Sequence, residues 1–582
     1  MSELMQQTAP HFIIKKYRSI LWATVIVEAV NYIVSLTDSV VAGNILGSDA
    51  LAAIGVLAPF MAVATFVASI VNSGTVMRYS YYVGCFDKKR AGEITGQGVF
   101  MALAAGAVYV MLLYVLKNPV LAQITPPGEV RDYANQYYDL ILPLFFLLPV
   151  SYLSDSLLVA DGGEKLSTVA NLIFIFNNIG LSVLFADWWG IRGIAIASVL
   201  SELLFILLIG FHFLGGKNNL QMVAHWSKAD FMEIFRNGIV KASTHVMEAI
   251  LILIINFFAL RYFDKETLIL LVLVENFLGL LTVFMGLAMA AQPLIGTLVG
   301  EKNTRALRAL MRTVLLDMLK AGLVLTVLVL LFAPTLVRAF GISEKELLGQ
   351  GVVALRIVGT TLIPHAVLVL FFVYYYLIGE QKLAFTICVR KNLISPAVLA
   401  IFLAVLMKSQ MGMWIGLMLA PITAFLICVQ AIYVRYGKNQ FVWLLPRERD
   451  ARIFIYDFAL MPKEIAALSR TVQNLLKQRG VNSRTCNLIA VYVEDVWMLI
   501  REKNQKRENL KGECTLIIED GGVRVIFRDS GTIFNITDED APADSFRQYI
   551  VANMMMYPDW KANMTTTGYN RNELFFGEGI NG

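Results

Sequence analysis

The sequence predicts an all-α polytopic membrane protein, with twelve transmembrane helices in two pseudo-symmetric six-helix lobes, followed by a small cytoplasmic α+β domain. Three observations support this prediction. The composition is 57% hydrophobic and only 16% charged. Apolar runs of membrane-spanning length recur along the first 440 residues. Two short sequence patterns also repeat at one fixed offset.

The composition excludes an ordinary soluble protein. Soluble domains are roughly 45–50% apolar and about 25% charged, whereas this chain has a mean hydropathy of +0.63, which is typical of membrane proteins. The net charge of +5 is small, and the basic residues concentrate in loops, which indicates membrane topology and not a nucleic-acid partner. The five cysteines have no metal-ligand spacing, so we expect neither a disulfide framework nor a metal site.

Apolar runs define the predicted helices, because a helix needs roughly 20 apolar residues to cross a bilayer. The first run, residues 19–41, follows Lys15, Lys16 and Arg18 and has no small-residue cleavage site after it. We therefore interpret it as a transmembrane helix and not as a cleaved signal peptide. The twelve runs are centred near residues 30, 63, 105, 148, 177, 203, 250, 284, 326, 365, 396 and 424.

The charges of the loops predict the orientation. If the N-terminus is inside, the internal loops contain the basic segments MRYSYYVGCFDKKRAGE, GEKNTRALRALMRT and VRYGKNQ. The external loops, such as GSDA, ADWWG and KSQMGM, are nearly free of basic residues. The positive-inside rule therefore predicts a multi-pass plasma-membrane protein whose N-terminus and C-terminal domain are cytoplasmic.

An internal repeat divides the membrane part. VGCFDKKRA has its glycine at Gly84 and VGEKNTRAL at Gly300, while GEKLSTVANLI begins at Gly163 and GEQKLAFTICVRKNLI at Gly379. Both pairs are 216 residues apart, which predicts two lobes at residues 1–220 and 221–440. Because six is even, an axis along the membrane normal relates the lobes, as in secondary transporters that rock two repeats about a central cavity.

The composition changes near residue 450, after which no further spanning run occurs. Helical patterns in PKEIAALSRTVQNLLKQRG and NLIAVYVEDVWMLIREKN precede the strand-like segments CTLIIED and VRVIFRD. The DGG between those strands indicates a hairpin turn. Residues 450–582 are therefore predicted to form a cytoplasmic α+β domain.

Three segments of the membrane part carry a family resemblance: LTDSVVAGNILGSDALAAIGVLAPF, NLIFIFNNIGLSVLFADWWGIRGIAIAS and GLAMAAQPLIGTLVGEKNTRALRAL. They resemble, in order, the first and second, the fifth and sixth, and the eighth helices of the MATE (multidrug and toxic compound extrusion) transporters. The resemblance covers about residues 15–440. It implies a secondary efflux transporter in which an acid on the first helix couples transport to a cation.

The segments VYVEDVWML, FRDSGTIFN and TTTGYNRNELFF carry a second resemblance. They are similar to the Glu-centred helix, the Asp-x-Gly loop and the final glycine loop of the GHKL ATP-binding fold, in the variant of anti-sigma-factor serine kinases. The resemblance implies that Asp529 accepts a hydrogen bond from adenine and that Gly531 lets the backbone approach the base. It also implies that Glu494 is the general base and that Gly568 belongs to the phosphate loop.

The C-terminal domain departs from that pattern at a metal position. Met498 stands four residues after Glu494, where the GHKL kinases carry a Mg²⁺-coordinating Asn. A neutral thioether is a poor ligand for hard Mg²⁺, so we expect weak or absent ATP turnover. Nucleotide sensing by a degenerate ATP site, or binding of a regulatory protein, would survive this loss.

Asp38 is the first candidate site residue, because a carboxylate inside an apolar helix is costly in hydrocarbon. Spacings of three, four and three residues place Glu28, Asn31, Ser35 and Asp38 on one helix face. Such a stripe should face a protein interior or a water-filled cavity. Burial disfavours the charged form of a carboxylate, so Asp38 could exchange protons near neutral pH. A structural carboxylate bonded to neighbouring hydroxyls is the alternative.

The fifth and sixth helices offer possible partners for this acid. In the MATE pattern, an Asn and an acid four residues later help the first-helix acid to bind a cation; Asn178 matches the Asn, but Ser182 occupies the acid position. Ser198 can add an oxygen, and Asn171 and Asn177 are further possible partners. A single carboxylate makes a poorer Na⁺ cage than two, which favours H⁺ while Na⁺ stays open. Helix–helix hydrogen bonding is the alternative role for these residues.

Ionisable and polar residues at membrane depth predict a substrate cavity. Glu248 matches a position where one MATE subgroup carries a functional acid, and Glu275 and His365 lie in the eighth and tenth predicted helices. Gln292 and Pro293 are expected to break the eighth helix and free backbone carbonyls, which is tolerable where they line a cavity. The predicted cavity residues are Asn31, Ser35, Glu248, Glu275, Gln292 and His365.

These patterns predict a secondary active antiporter that exports organic, cationic or amphipathic solutes in exchange for H⁺ or Na⁺, with the C-terminal domain as a regulator. The sequence contains no Gly-x-x-x-x-Gly-Lys-Ser/Thr loop, which argues against an ATP-driven pump. A membrane-bound signalling protein with a serine-kinase-like domain and a flippase for lipid-linked sugars are the alternatives. The expected partners of this monomer are a small-molecule substrate, membrane lipid and a cytoplasmic regulatory protein, with ATP a possible ligand and no catalytic or metal-binding residues.

Overall fold

The computed structural model describes residues 11–85, 87–124, 128–214, 223–263, 265–339, 344–505, 510–532, 560–561 and 569–577. In chain order, the helices of the first lobe are α1 (His11–Val41), α2 (Ser48–Gly84), α3 (Lys88–Ile124), α4 (Glu129–Ala160), α5 (Glu164–Trp189) and α6 (Ile191–Leu214). Those of the second lobe are α7 (Lys228–Tyr262), α8 (Lys265–Leu278), α9 (Thr282–Met289), α10 (Gln292–Gly300), α11 (Thr304–Ala339), α12 (Lys345–Gly359), α13 (Leu362–Leu377), α14 (Gln381–Val389), α15 (Ser395–Met407) and α16 (Gln410–Gln440).

The membrane part is polytopic. Among the described residues, ten helical segments are long and apolar enough to cross a membrane, or eleven when α12 and α13, which meet at a bend of 43°, count as one span. These segments contain the predicted centres from residue 63 onward. The first predicted centre, residue 30, lies in α1. The mostly helical, polytopic class is therefore confirmed at ten or eleven spans.

A helix break lies where Gln292 and Pro293 predict one. Helix α9 ends at Met289 and α10 begins at Gln292, with Pro293 in the first turn. Proline fits that position because its missing N–H would have no intrahelical acceptor there. The predicted break of this span is confirmed.

The two lobes touch at one end of the membrane part, through the last residues of α2 and α10. A Cβ atom on Gly84 would lie 2.3 Å from the Thr297 carbonyl oxygen, and one on Gly300 would lie 2.5 Å from the Tyr81 carbonyl oxygen. Only glycine permits backbones to come this close. Gly84 and Gly300 are equivalent positions in the predicted repeat. We call this end the proximal end, because the C-terminal domain packs against it.

The C-terminal domain combines two helices with an antiparallel sheet. After the short helix α17 (Arg447–Asp450), its elements are β1 (Ile453–Ala459), α18 (Pro462–Gln478), α19 (Ser483–Lys503), β2 (Lys511–Glu519), β3 (Gly522–Asp529), β4 (Trp560–Lys561) and β5 (Asn570–Gly577). The order of the strands in the sheet is β1-β2-β3-β5-β4. The predicted hairpin is confirmed, since β2 and β3 are adjacent and Glu519 pairs with Gly522.

The two faces of this sheet have different partners, because successive side chains of a strand point to opposite faces. Phe454, Tyr456 and Phe458 of β1 pack with α18 and α19 in the core of the domain. Ile453 and Ile455, on the other face of β1, belong to the apolar core that is continuous with the membrane part. The sheet is therefore buried on both faces.

The linker into the domain is held by the second lobe. The hydroxyl of Tyr374 donates to the Trp443 carbonyl at 2.6 Å. Arg308 Nε donates to Asp450 at 2.8 Å, and its Nη2 donates to the Leu445 carbonyl at 3.0 Å. The C-terminal domain is thus anchored to α11 and α13.

Candidate coupling site and central cavity

Asp38 lies near the far end of α1, where side chains from two other helices hold its carboxylate. The Tyr137 hydroxyl, on α4, donates to Asp38 Oδ2 at 2.7 Å. The Ser198 hydroxyl, on α6, lies 3.2 Å from Oδ1 and 3.1 Å from Oδ2. Three helices of the first lobe therefore converge on one carboxylate that is isolated from basic partners in these contacts.

The predicted partners on α5 extend this network. Asn178 Nδ2 donates to Ser198 Oγ at 3.2 Å. Ser182 follows one turn later, and both side chains are fully buried. Within the described residues, Asn178 Oδ1 and Ser182 Oγ have no hydrogen-bond partner. Buried oxygens rarely go unsatisfied, so these two atoms are available to a further polar group.

Three residues of this region make contacts that the sequence did not predict. Tyr137 was not predicted from the sequence, because a tyrosine in an apolar run has no pattern that distinguishes a ligand from packing. Asn171 was a possible partner of Asp38, but its amide donates to the Ser167 carbonyl at 2.9 Å. Asn177 bonds Ser201 at 3.0 Å instead.

A second set of buried polar residues lies toward the proximal end of the first lobe. Ser167 Oγ donates to Asp155 at 2.6 Å, with Asn171 one turn further along α5. Lys16 pairs with Glu164 at 2.7 Å, and both side chains are buried. These acids were not predicted from the sequence. The Asp, Ser and Asn residues that recur at helical spacing in apolar runs could have indicated a buried polar cluster.

A cavity of about 590 Å³ lies between the lobes. Ligand pockets for drug-sized molecules typically enclose roughly 300–1,000 Å³. Four predicted cavity residues line it: Glu248, Glu275, Gln292 and His365. The side chains of the other two, Asn31 and Ser35, lie outside the described part of the structure.

Charged side chains from both lobes face each other across this cavity. Glu28 of α1 interacts electrostatically with Lys241 of α7. Lys391 Nζ lies 3.3 Å from His365 Nε2, and the Lys391 charge also interacts with Glu248. Among the described residues, four acids, two lysines and one histidine line the cavity: Glu28, Asp155, Glu248, Glu275, Lys241, Lys391 and His365. Acids therefore outnumber lysines in the lining, which favours a positively charged occupant.

In the C-terminal domain, the predicted nucleotide residues are partly brought together. Asp529 is 1% exposed, and its Oδ1 accepts hydrogen bonds at 2.8 Å from the Gly531 amide and from Asn570. Asn504 closes the other side of the loop by accepting from the Thr532 amide at 2.6 Å. The Asp-x-Gly loop is therefore stabilised by the domain's own amides.

Two further residues named in the sequence comparison lie on α19. Glu494 is exposed there, and Met498 packs against the apolar core of the domain. Gly568 lies outside the described residues. Met498 thus has a packing role in the domain.

Comparison with known proteins decides the family. The MatE family model matches residues 23–184 and 242–406, which is more than half of the chain and one match in each lobe. The chain belongs to the MatE family. Its membership confirms a membrane transporter of the MATE type, with multiple membrane-spanning helices, and supports a function other than catalysis.

The relatives of this MatE protein are distant. The uncharacterized transporter YisQ of Bacillus subtilis (strain 168) is 22% identical over 275 residues, which are 44% of this chain and 58% of YisQ. This chain therefore spans little more than half the length of that relative. Among solved structures, the outward-facing conformation of a multidrug resistance MATE family transporter of the MOP superfamily has a TM-score of 0.67 and 20% identity, covering 74% of this chain and 97% of that one.

A MOP superfamily transporter from Pyrococcus furiosus Vc1 is similar to the same extent. It has a TM-score of 0.66 and 20% identity, and the match covers 74% of this chain and 97% of that chain. For that transporter, the reverse polarity of the binding pocket suggests a different function. At such identities, these structures show the shared fold alone.

Proposed function

We propose that this MatE protein is a secondary active antiporter that exports organic cations or cationic amphipaths in exchange for H⁺, with Asp38 as the coupling carboxylate. The observation that carries the proposal is that the Tyr137 and Ser198 hydroxyls both bond this half-buried acid, with Asn178 in turn bonded to Ser198. Protonation of Asp38 removes the charge that these groups stabilise, so the packing of α1 against α4 and α6 depends on its protonation state.

The composition of the cluster favours H⁺ over Na⁺. Na⁺ prefers hard oxygen ligands with enough negative charge to offset its desolvation, and the contacts on α5 and α6 supply hydroxyl and amide oxygens only. Ser182 occupies the position where a second acid would add charge. A proton needs a single carboxylate and a path to water, and the hydroxyls of Tyr137 and Ser198 both reach Asp38.

The central cavity supports an organic cation as the exported solute. Its volume of about 590 Å³ suits a drug-sized molecule. The surplus of acids over lysines in its lining attracts positive charge. Glu28 interacts electrostatically with Lys241, and Glu248 with Lys391, so a cationic solute that binds these acids would compete with the two lysines.

The basic loops predict that the proximal end is cytoplasmic, in the plasma membrane. On this orientation, the C-terminal domain regulates transport from the inside. Met498 in the apolar core and the internally bonded Asp529 loop support a regulatory role over a kinase.

Transport by the full-length protein in proteoliposomes tests the proposal. Uptake of ethidium is followed after a pH gradient and a Na⁺ gradient are imposed separately, with and without ATP in the lumen. We expect transport driven by the pH gradient alone and unaffected by ATP. Transport that responds to the Na⁺ gradient alone would contradict H⁺ coupling, and transport of a lipid-linked sugar without either gradient would contradict antiport.

The Asp38→Asn variant tests the residue assignment, with Asp139→Asn as its matched control. Asp139 lies on α4 and is 56% exposed where it pairs with Lys117 at 2.7 Å, so its neutralisation should change transport less than twofold. We expect Asp38→Asn to lower gradient-driven transport at least about tenfold. Coupling free energies are typically about 1–3 kcal/mol, and this substitution removes the carboxylate on which the coupling depends. Normal export by Asp38→Asn would refute the assignment.

A further inference from the structure

The sheet of the C-terminal domain uses a charged face to contact the membrane part. Ile517 of β2 and Ile526 of β3 join, on this face, the apolar core of the membrane part, to which both lobes contribute. Glu513, Arg528 and Arg571 lie on the same face, and all three are at most 3% exposed. A buried charge is tolerated only when it is paired, so their partners determine how the domain docks.

Glu301, the residue that follows α10 at the proximal end, is the main partner. It is fully buried and pairs with Arg528 and with Arg571, whose Nε lies 2.8 Å from Glu301 Oε1. Arg528 pairs at the same time with Glu513 of the neighbouring strand. The domain therefore presents two guanidinium groups to one carboxylate of the second lobe.

Arg571 also reaches the first lobe. Its Nη1 donates to the Val83 carbonyl at 3.0 Å, and its Nη2 donates to the Gly84 carbonyl at 2.8 Å. These carbonyls end α2, where the helix dipole favours a cation. Burial lowers the pKa of Arg571 to about 10 and Glu301 opposes this change, so the group is charged at neutral pH.

A single side chain thus connects equivalent points of the two repeats. Val83 and Gly84 end the second helix of the first lobe, and Glu301 directly follows Gly300, the equivalent glycine of the second lobe. Separation of Gly84 from Gly300 would break either the bonds of Arg571 to the carbonyls or its pair with Glu301. Arg571 would then keep Glu573, at 3.3 Å, and Glu301 would keep Arg528. The loss of one partner from such a buried charge network is still unfavourable, because each charge stays buried with fewer groups to stabilise it.

The remaining contacts show which side can release. Tyr374, Arg308 and Asp450 anchor the linker to the second lobe. Among the described residues, contacts to the first lobe include Arg571, the Phe12 amide, which bonds Glu513, and the ring of Tyr569, which packs on Phe12 of α1 with centroids 5.0 Å apart. Because the linker ties the domain to the second lobe, these first-lobe contacts are the ones that separation of the lobes would break.

We propose that Arg571 and Glu301 form a lock by which the C-terminal domain holds the two lobes together at the proximal end, and that release of Arg571 from α2 is required for opening on that side. The lock makes the domain an autoinhibitory element of the lobe motion. This proposal uses the two-lobed fold and is independent of the coupling ion.

The distance between the lobes tests the lock. Spin labels are placed on the full-length protein at Lys89→Cys and Lys302→Cys, two exposed positions on the proximal turns of the two lobes, after the native cysteines are replaced. The distance distribution is measured by double electron–electron resonance without a gradient. We expect the parent protein to show mainly a short distance. In Arg571→Met, the population at a longer distance should be at least fivefold larger than in the parent.

Two further variants keep the test decisive. Arg524→Met is the matched control, because Arg524 lies on the same sheet face but pairs with Glu519 and Glu573 of its own sheet. Glu573 also pairs with Arg571, but Arg571 keeps its bonds to α2 and Glu301 in this variant, which should therefore resemble the parent. Phe12→Ala weakens the docking without unpairing a buried charge and should also increase the longer population. If folded, monodisperse Arg571→Met and Phe12→Ala both give the parental distribution, the lock is refuted. Lobe opening without ethidium transport would instead contradict the proposed function alone.

Discussion

The contact between Gly84 and α10 makes a sharp prediction for Gly84→Ala. The new Cβ atom would lie 2.3 Å from the Thr297 carbonyl oxygen, whereas ordinary van der Waals contact begins at 3.4 Å. The backbones of α2 and α10 must therefore separate by about 1 Å, since the clash is with backbone and no side chain can rotate away. The substitution should destabilise the state in which the lobes touch.

The expected size follows from the cost of overpacking, which is about 1–3 kcal/mol. If this cost falls on the closed state alone, the ratio of closed to open molecules drops by about 5- to 150-fold. Spin labels at positions 89 and 302 report the populations directly. Thermal unfolding of the same samples in detergent separates a lobe shift from global destabilisation.

Gly180→Ala is the matched control for this prediction. Gly180 lies inside α5, and a Cβ atom there would meet nothing within 4 Å. Alanine is a better helix former than glycine by about 0.8–1.0 kcal/mol, so this variant should keep the parental distances. Equal distance distributions for Gly84→Ala and Gly180→Ala would refute the reasoning that these backbones hold the lobes in contact.

Two other predictions follow from single contacts. Tyr137→Phe removes a 2.7 Å hydrogen bond to the Asp38 carboxylate. Because such a bond to a charged group contributes about 1.5–3 kcal/mol, the midpoint of the pH dependence of ethidium transport should rise by about 1–2 units. An unchanged midpoint would show that this bond does not affect the protonation of Asp38. Burial raises the pKa of the Cys514 thiol to about 12, whereas an unfolded cysteine titrates near about 8.5. Maleimide at pH 9 should therefore modify Cys514 only after denaturation, as measured by mass spectrometry, and rapid labelling of the folded protein would contradict the burial. For the same reason, the free energy of unfolding should fall as the pH rises from about 8.5 towards 12.

The candidate coupling site was predictable where spacing and chemistry were unusual. A carboxylate in a spanning run identified Asp38, the resemblance to a transporter family pointed to Asn178, and Ser198 was a possible further oxygen on the sixth helix; the structure connects both to Asp38, Asn178 through Ser198. Tyr137 was not predictable, because the sequence holds many tyrosines in apolar runs and only helix packing brings one hydroxyl to Asp38. Asn171, a possible partner of Asp38, shares a helix with Asn178 but lies about two turns away, where its amide bonds the Ser167 carbonyl.

The sequence by itself determined the membrane class, the two repeats and the hairpin of the C-terminal domain. Those features depend on hydrophobic run length, periodicity and turn residues, which are local in the chain. Only the tertiary structure decided that Arg571, 487 residues after Gly84, would bond that residue's carbonyl while pairing with Glu301. From the sequence, the position of Arg571 in β5 could at most be assigned to one face of a strand. Its partners could not be predicted, because a buried ion pair depends on which surfaces meet after folding and not on the spacing of neighbouring residues.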